Sequence, residues 1–259
     1  MRPVEQVVAV LELSGQGLSA SEIARRTGVP RGTVRDWVAG RTSRRARAAS
    51  GGRTSCQACG GLAHRLADLA PAYVYLLGLY LGDGCITAYR RGVYKLRVNL
   101  DLRYPGIVDE CEAAIRVVNP GRRVHRQKRR SNYTGEEAYT HVEVSAYWKA
   151  WPCLFPQHGP GRKHHRQIAL AEWQRVLVGR RPGLLLRGLM HSDGCRFINT
   201  GRKWQHPRYS FSNRSEDILK IFCDACDLMG LNWTTAGHTI YVSRKTDVAV
   251  LDRYIGPKA

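Results

Sequence analysis

LLGLYLGDGC at residues 76–85 and LRGLMHSDGCR at residues 186–196 repeat one pattern: an apolar helical run with an internal glycine, then Asp-Gly-Cys. Each stretch sets an aspartate, Asp83 or Asp193, in the last turn of a helix. A helix C-terminus carries partial negative charge, so a carboxylate there is unfavourable unless a cation offsets it. Two such helices in one chain imply two related halves that meet around a shared site. The glycine after each aspartate, Gly84 and Gly194, is expected to take the left-handed conformation that stops a helix.

Working outward, the pattern on either side repeats as well. Apolar helices over 73–83 and 184–193 lead into β-rich stretches, YKLRVNLDL at 94–102 and RYSFSN at 208–213. Amphipathic helices follow over 106–117 and 215–229, then strands that end in VEVS at 142–145 and IYVS at 240–243. Each half closes with a helix and a Gly-Pro turn that carries a lysine, GPGRK at 159–163 and GPK at 256–258. Both halves therefore read α-β-β-α-β-β-α. The basic, polar segment 119–138 lengthens the first half as an extended hairpin or loop, and HRQIALAEWQRVLVGRR at 165–181 reads as a helix joining the halves. Tyr147, Trp148 and Trp151 read as core of the helix before Lys163. Cys85 and Cys195 read as small buried residues at strand starts, and Cys223 and Cys226 as buried thiols on an amphipathic helix.

The N-terminal region is different in kind. MRPVEQVVAVLEL reads as an amphipathic helix without a secretory layout. LSASEIARRTGVPRGTVRDWVAG at 18–40 reads as two short helices around a tight turn, with Ser19 or Ser21 capping the first, Gly28 in the turn and Pro30 opening the second. Ala24, Gly28 and Val34 fall at helix-turn-helix spacing, so the segment resembles that family's DNA-reading unit. The resemblance implies that the helix from about Arg31 to Ala39 lies in a major groove, with Arg31, Thr33 and Arg35 toward the DNA. Residues 41–55 look like a flexible basic linker. Cys56, Cys59 and His64 follow, candidate ligands of a structural Zn²⁺ that needs a fourth.

The chain has 259 residues, with 41 Lys and Arg against 21 Asp and Glu, a formal net charge of +20. The excess is clustered. Residues 41–53 carry five arginines and no acid, and residues 116–130 carry Arg116, Arg122, Arg123, Arg126, Lys128, Arg129 and Arg130 and no acid. Such clusters read as a phosphate-binding surface, with Arg122, Arg123, Lys128, Arg129 and Arg130 as candidate DNA contacts. HGPGRKHH at 158–165 lacks metal-ligand spacing and reads as a further phosphate contact. No apolar run approaches the roughly 18 residues of a membrane span. With no export signal, the expected location is the cytoplasm, on the nucleoid if the source is bacterial.

With both motif helices and both halves in place, residues 71–259 resemble a two-repeat LAGLIDADG homing endonuclease. The resemblance implies an α+β fold of two pseudo-symmetric repeats forming a saddle on DNA, joined here to a small all-α helix-turn-helix module. The domains are then 1–40 (helix-turn-helix), 41–70 (basic linker with the Cys-x-x-Cys), 71–165 (first repeat) and 166–259 (connecting helix and second repeat). It implies that the motif helices pack at a pseudo-dyad through Gly78 and Gly188, with the small Gly82 and Ser192 in the same seam. Asp83 and Asp193 would bind Mg²⁺ or a similar hard ion, as two adjacent carboxylates favour. Lys163 and Lys258 would stand near the scissile phosphates, and Asn99, Asp101, Ser212 or Asn213 would help order water. The motifs depart from the family where an earlier acid often stands, with Leu81 in the first and His191 in the second.

The function so implied is a site-specific, divalent-metal-dependent double-strand DNA endonuclease, monomeric because one chain carries both repeats. The alternative is a helix-turn-helix regulator on the same scaffold that does not cut. An RNA-splicing maturase fits a duplex-DNA reader poorly. A chain beginning with Met and ending GPKA shows no intein junction.

Overall fold

A computed structural model of the chain describes residues 4–39, 66–130, 139–201, 204–256 and 258. The chain divides into two compact units, Met1–His64 and Arg65–Ala259. Among the described residues no helix is long and apolar enough to cross a membrane.

The first unit holds three helices, α1 (Val4–Gly15), α2 (Ala20–Thr27) and α3 (Arg31–Val38). Ser19 caps α2 by accepting from the Glu22 backbone N–H at 3.3 Å. Gly28 ends it in the left-handed conformation, at φ 65°. Val7, Val10, Ile23, Val29, Val34 and Trp37 form the small core, which leaves Arg31 and Arg35 exposed on α3.

In the second unit the order α-β-β-α-β-β-α occurs twice. The first repeat runs α4 (Leu66–Asp83), β1 (Gly84–Ala88), β2 (Tyr94–Asp101), α5 (Pro105–Val118), β3 (Val124–Arg130), β4 (Tyr139–Trp148) and α6 (Trp151–Leu154). A connecting helix, α7 (Glu172–Arg180), leads to the second repeat. That repeat runs α8 (Pro182–Asp193), β5 (Gly194–Gly201), β6 (Trp204–Ser212), α9 (Glu216–Leu228), β7 (Thr234–Ala236), β8 (Thr239–Val242) and α10 (Lys245–Ile255). The two sheets are antiparallel and share one strand order, β1-β2-β4-β3 and β5-β6-β8-β7. In each, alternate strand residues face the helices. Leu96, Val98 and Val144 enter the core from one sheet, and Tyr209, Phe211 and Ile240 from the other. Phe211 stacks on Phe222 of α9 at 4.5 Å between centroids.

Helices α4 and α8 pack with almost nothing between them. A methyl group at Gly78 would stand 2.5 Å from the Leu185 carbonyl and 2.8 Å from the Gly188 Cα. One at Gly188 would stand 2.8 Å from the Leu79 nitrogen and overlap the Tyr75 carbonyl. One at Gly82 would collide with Ser192 and lie 3.0 Å from Asp193 Oδ2. The small residues are therefore what permits this seam.

Several expectations need correction. Gly194 is extended (φ −96°, ψ 159°), and Gly84 is not among the positive-φ glycines. Each helix passes straight into a strand, and glycine is required because a Cβ would meet the preceding turn, at 2.5 Å from Tyr80 Cα and 2.6 Å from Met190 Cα. The connecting helix covers only Glu172–Arg180. Before it, the Ile168 N–H donates to Asp217 Oδ2 at 2.7 Å and the Ala171 N–H to Gln174 Oε1 at 2.8 Å, which holds the chain out of a helix. Tyr147 and Trp148 lie on β4, and Tyr147 is exposed; only Trp151 is fully buried. Cys195 is exposed and Cys85 only half-buried, whereas Cys223 and Cys226 are buried and burial pushes the Cys223 thiol up to about 11. Cys56, Cys59, His64 and the basic linker lie outside the described residues.

The seam gives a direct prediction. Gly188→Ala should cost about 2–3 kcal/mol, because the new methyl meets backbone that cannot rotate away. Gly179→Ala, with nothing near its Cβ, should be neutral or stabilising by up to about 1 kcal/mol. Denaturant unfolding of the two variants measures both.

Candidate functional site

The seam delivers Asp83 and Asp193, the last residues of α4 and α8, to one end of the paired helices. Both carboxylates are half-buried, and a cleft of about 640 Å³ is lined there by Asp193, Lys163, Asn213, Arg162 and Arg214 among others. Loss of water around Asp83 and the facing Asp193 carboxylate push its pKa up to about 7, against the pull of Lys163 and Lys258. Burial likewise raises that of Asp193, opposed by a hydrogen bond from Asn213 Nδ2 to Asp193 Oδ2 at 2.8 Å.

Both Gly-Pro-turn lysines reach this end. Lys163 donates to the carbonyls of Leu81 and Gly82, each at 2.9 Å, and to that of Tyr80. Its ammonium thus caps the C-terminus of α4. Burial pushes its pKa down to about 8, with Asp83 and Asp193 acting in the opposite sense. Lys258 donates to the Gly194 carbonyl just past α8, and burial lowers its pKa too. Two ammonium groups therefore stand where the ends of two helices concentrate negative charge.

Of the four polar candidates for ordering water, Asn213 touches an aspartate. Asp101 is held by Arg103 at 2.6 Å, Ser212 bonds Thr239 at 2.8 Å, and Asn99 is exposed on β2. The signal that separates Asn213 is its place one residue beyond β6, which a pattern of alternating residues does not resolve.

The basic run before and within β3 is sorted by strand alternation. Arg126 binds Asp109 and Glu112 of α5, at 2.7 Å for Asp109, and Arg116 pairs with Glu112. Both were expected to form part of a phosphate surface, and both are already matched by acids on the preceding helix. Lys128 shares the face of Arg126 by alternation. Arg129 takes the opposite face, where it binds Glu143 at 3.0 Å; Glu143 also accepts from Lys95 at 2.6 Å. Arg97, on that same open face, approaches Cys85 Sγ at 3.2 Å. On the second sheet Arg208 lies over the Tyr241 ring at 4.0 Å. Arg122 and Arg123 are exposed ahead of β3, and Arg130 lies over Tyr139 at 5.4 Å. In the first unit Thr33 is half-buried between the exposed Arg31 and Arg35.

Residues missed in the sequence are Arg187, Glu110 and Tyr75. Together with His191 they form a polar cluster beside the seam. Burial and Arg187 push His191 down to about 4, so it is neutral there. The available signal was an arginine and a histidine inside an otherwise apolar motif helix.

The donor set suits a hard divalent ion. Two carboxylates supply oxygen ligands; burial raises the pKa of both, joined at Asp83 by the Asp193 charge, even with two lysines present. Among the described residues no three His, Cys, Asp or Glu side chains cluster to hold a metal, so water or backbone oxygen would complete the shell.

Comparison with known proteins adds the following. Residues 3–48 match the family model described as a homeodomain-like domain. No curated protein matches the chain. Among solved structures, the N-terminal LAGLIDADG domain of DUF199/WhiA is similar at 14% identity and a TM-score of 0.48, over 73% of this chain and 82% of that one. The homing endonuclease I-WcaI bound to its DNA recognition sequence is similar at 13% identity and 0.48, over 73% and 82%. Full-length DUF199/WhiA from Thermatoga maritima follows at 12% and 0.46, over 73% of this chain and 56% of that one.

Asp83 binds its proton near pH 7 in the folded chain and near the ordinary 3.8 when unfolded. The folded state therefore holds more protons across that window, and this group's contribution to stability is full below pH 4 and lost as pH rises through 7. In metal-free protein, Asp83→Asn should raise stability at pH 8 by about 1–3 kcal/mol and change it little at pH 4. Thermal unfolding at the two pH values checks this.

Proposed function

We propose that the chain is a site-specific, divalent-metal-dependent endonuclease acting on double-stranded DNA. The observation that carries this reading is the convergence of Asp83, Asp193, Lys163 and Lys258 at one end of the α4–α8 seam. A protein that only bound DNA would have no use for two partly buried carboxylates whose charge the fold disfavours.

Each residue has a role its environment suits. Asp83 and Asp193 would hold the metal, which when bound supplies activated water and stabilises the leaving oxygen. Asn213 fixes the rotation of the Asp193 carboxylate. Lys163 is poised to exchange helix carbonyls, and Lys258 the Gly194 carbonyl, for a phosphate oxygen when the backbone of DNA enters. Arg97, Arg129 and Lys95 on one open sheet face, and Arg208 on the other, supply backbone or base contacts. Arg31, Thr33 and Arg35 would extend the footprint through α3. Lys128 has no part in this, since it stands on the helix side of its sheet. One chain holds both halves of the site, so a monomer suffices, acting wherever the cell keeps its DNA.

The match of residues 3–48 to a homeodomain-like domain favours a second reading, a DNA-binding regulator that does not cut. A randomised duplex library separates the two when incubated with and without Mg²⁺, beside Asp83→Asn and Asp193→Asn. The endonuclease reading predicts Mg²⁺-dependent cutting that falls by on the order of a hundredfold or more in either variant. Selective binding without cutting under any divalent metal would establish the regulator instead.

A further inference from the structure

Aligning the two motifs places Arg187 and His191 where the first repeat has Leu77 and Leu81. The first repeat buries both leucines. The second repeat thus accepts the cost of polar groups at positions where apolar ones would serve, and the geometry shows what they hold.

Arg187 makes a bidentate pair with Glu110, Nε to Oε1 and Nη2 to Oε2, each at 2.7 Å. Its remaining nitrogen, Nη1, donates to the Tyr254 carbonyl at 2.8 Å and to that of Ile255. His191 Nε2 lies 3.0 Å from the same Ile255 oxygen, and its Nδ1 lies 2.9 Å from Tyr75 Oη. Glu110 is on α5 and Tyr75 on α4, both in the first repeat. Tyr254 and Ile255 are the last residues of α10, whose final carbonyls have no partner within the helix. The next residue, Gly256, turns the chain at φ 68°, and Lys258 follows. The end of α10, which leads to Lys258, is therefore gripped by Arg187 and His191 of its own repeat, and these two are held in turn by Glu110 and Tyr75 of the other.

Lys163 is held differently. Its loop is pinned from within, by Arg166 Nη1 donating to the Gln157 carbonyl and by Gln157 bonded to Gln174 of α7 at 2.5 Å. Two residues past Arg166, the Ile168 N–H donates to Asp217 of α9 at 2.7 Å; neither Arg187 nor Glu110 takes part in any of these bonds.

We propose that Arg187 and Glu110 are positioning residues for Lys258: Arg187 grips the end of α10, and Glu110, fixed on the other repeat, aims the guanidinium. A guanidinium is the one side chain that can do both, because its planar fork binds a carboxylate along one edge while a further nitrogen serves carbonyls. The consequence rests on the endonuclease reading: the phosphate served by Lys258 depends on the Arg187–Glu110 pair, and the one served by Lys163 does not. Loss of the clamp should turn a paired cut into a nick.

The test uses the full chain as wild type, Arg187→Leu and Glu110→Gln, with hydrogen exchange read by mass spectrometry. In both variants the amides at the end of α10 and beyond, 253–259, should exchange roughly tenfold faster, while those of 159–166 keep their wild-type rates. Glu110→Gln nearly keeps the side-chain shape, so it remains informative should Arg187→Leu fail to fold. Unchanged exchange over 253–259, or equal acceleration of both segments, would overturn the proposal. This readout needs neither DNA nor metal, so it judges the clamp even if the chain cuts nothing, an outcome that would sink only the endonuclease reading. With a cleaved duplex labelled separately on each strand, the variants should accumulate nicked product with one strand cut at the wild-type rate. Equal slowing of both strands would count against a role specific to Lys258.

Discussion

The approach of α4 and α8 at Gly78 and Gly188 is the constraint on which the rest depends. With no side chain between the backbones, the two helices share one end, and that end carries Asp83 and Asp193. Because each helix runs directly into a strand through Gly84 or Gly194, the seam also sets where both sheets begin. A single added methyl at the crossing would shift the two carboxylates and the two sheets together.

The seam creates an electrostatic problem that the rest of the unit answers. Two helix ends and two carboxylates concentrate negative charge at one end of the seam. Lys163 and Lys258 answer it in part from the periphery, at the cost of their own desolvation. Burial and the Asp193 carboxylate hold the pKa of Asp83 up to about 7 with both lysines in place. The clamp from Glu110 through Arg187 to the end of α10 adds that the two halves, alike in topology, are unlike in how each holds its lysine.

The parts of the fold set by periodicity were legible in the sequence. Both apolar motif helices, the sheet strands and the amphipathic α5 and α9 follow from spacing alone. What escaped depends on contacts between distant residues. A glycine after a helix usually marks a left-handed cap, and only the nearness of the Tyr80 and Met190 backbones shows that Gly84 and Gly194 serve close packing. Residues 166–171 have helical composition, yet Asp217, far along the chain, captures the Ile168 N–H. The basic run looked unpaired because Asp109 and Glu112 precede it in sequence, on the helix against which Arg126 folds back. At the site, residue type pointed to the aspartates and the Gly-Pro lysines, whereas Asn213 and Arg187 are defined by what they touch.

The proposed divalent-ion site rests on two carboxylates, Asp83 and Asp193, that the seam brings to one end. Diffraction from crystals grown with Mn²⁺, with the anomalous signal of the metal recorded, tests it most directly. An anomalous peak is expected within bonding distance of carboxylate oxygens of both Asp83 and Asp193, flanked by Lys163 and Lys258. Mn²⁺ bound elsewhere with none between the two aspartates, or their carboxylates turned apart with no ion at saturating metal, would contradict it.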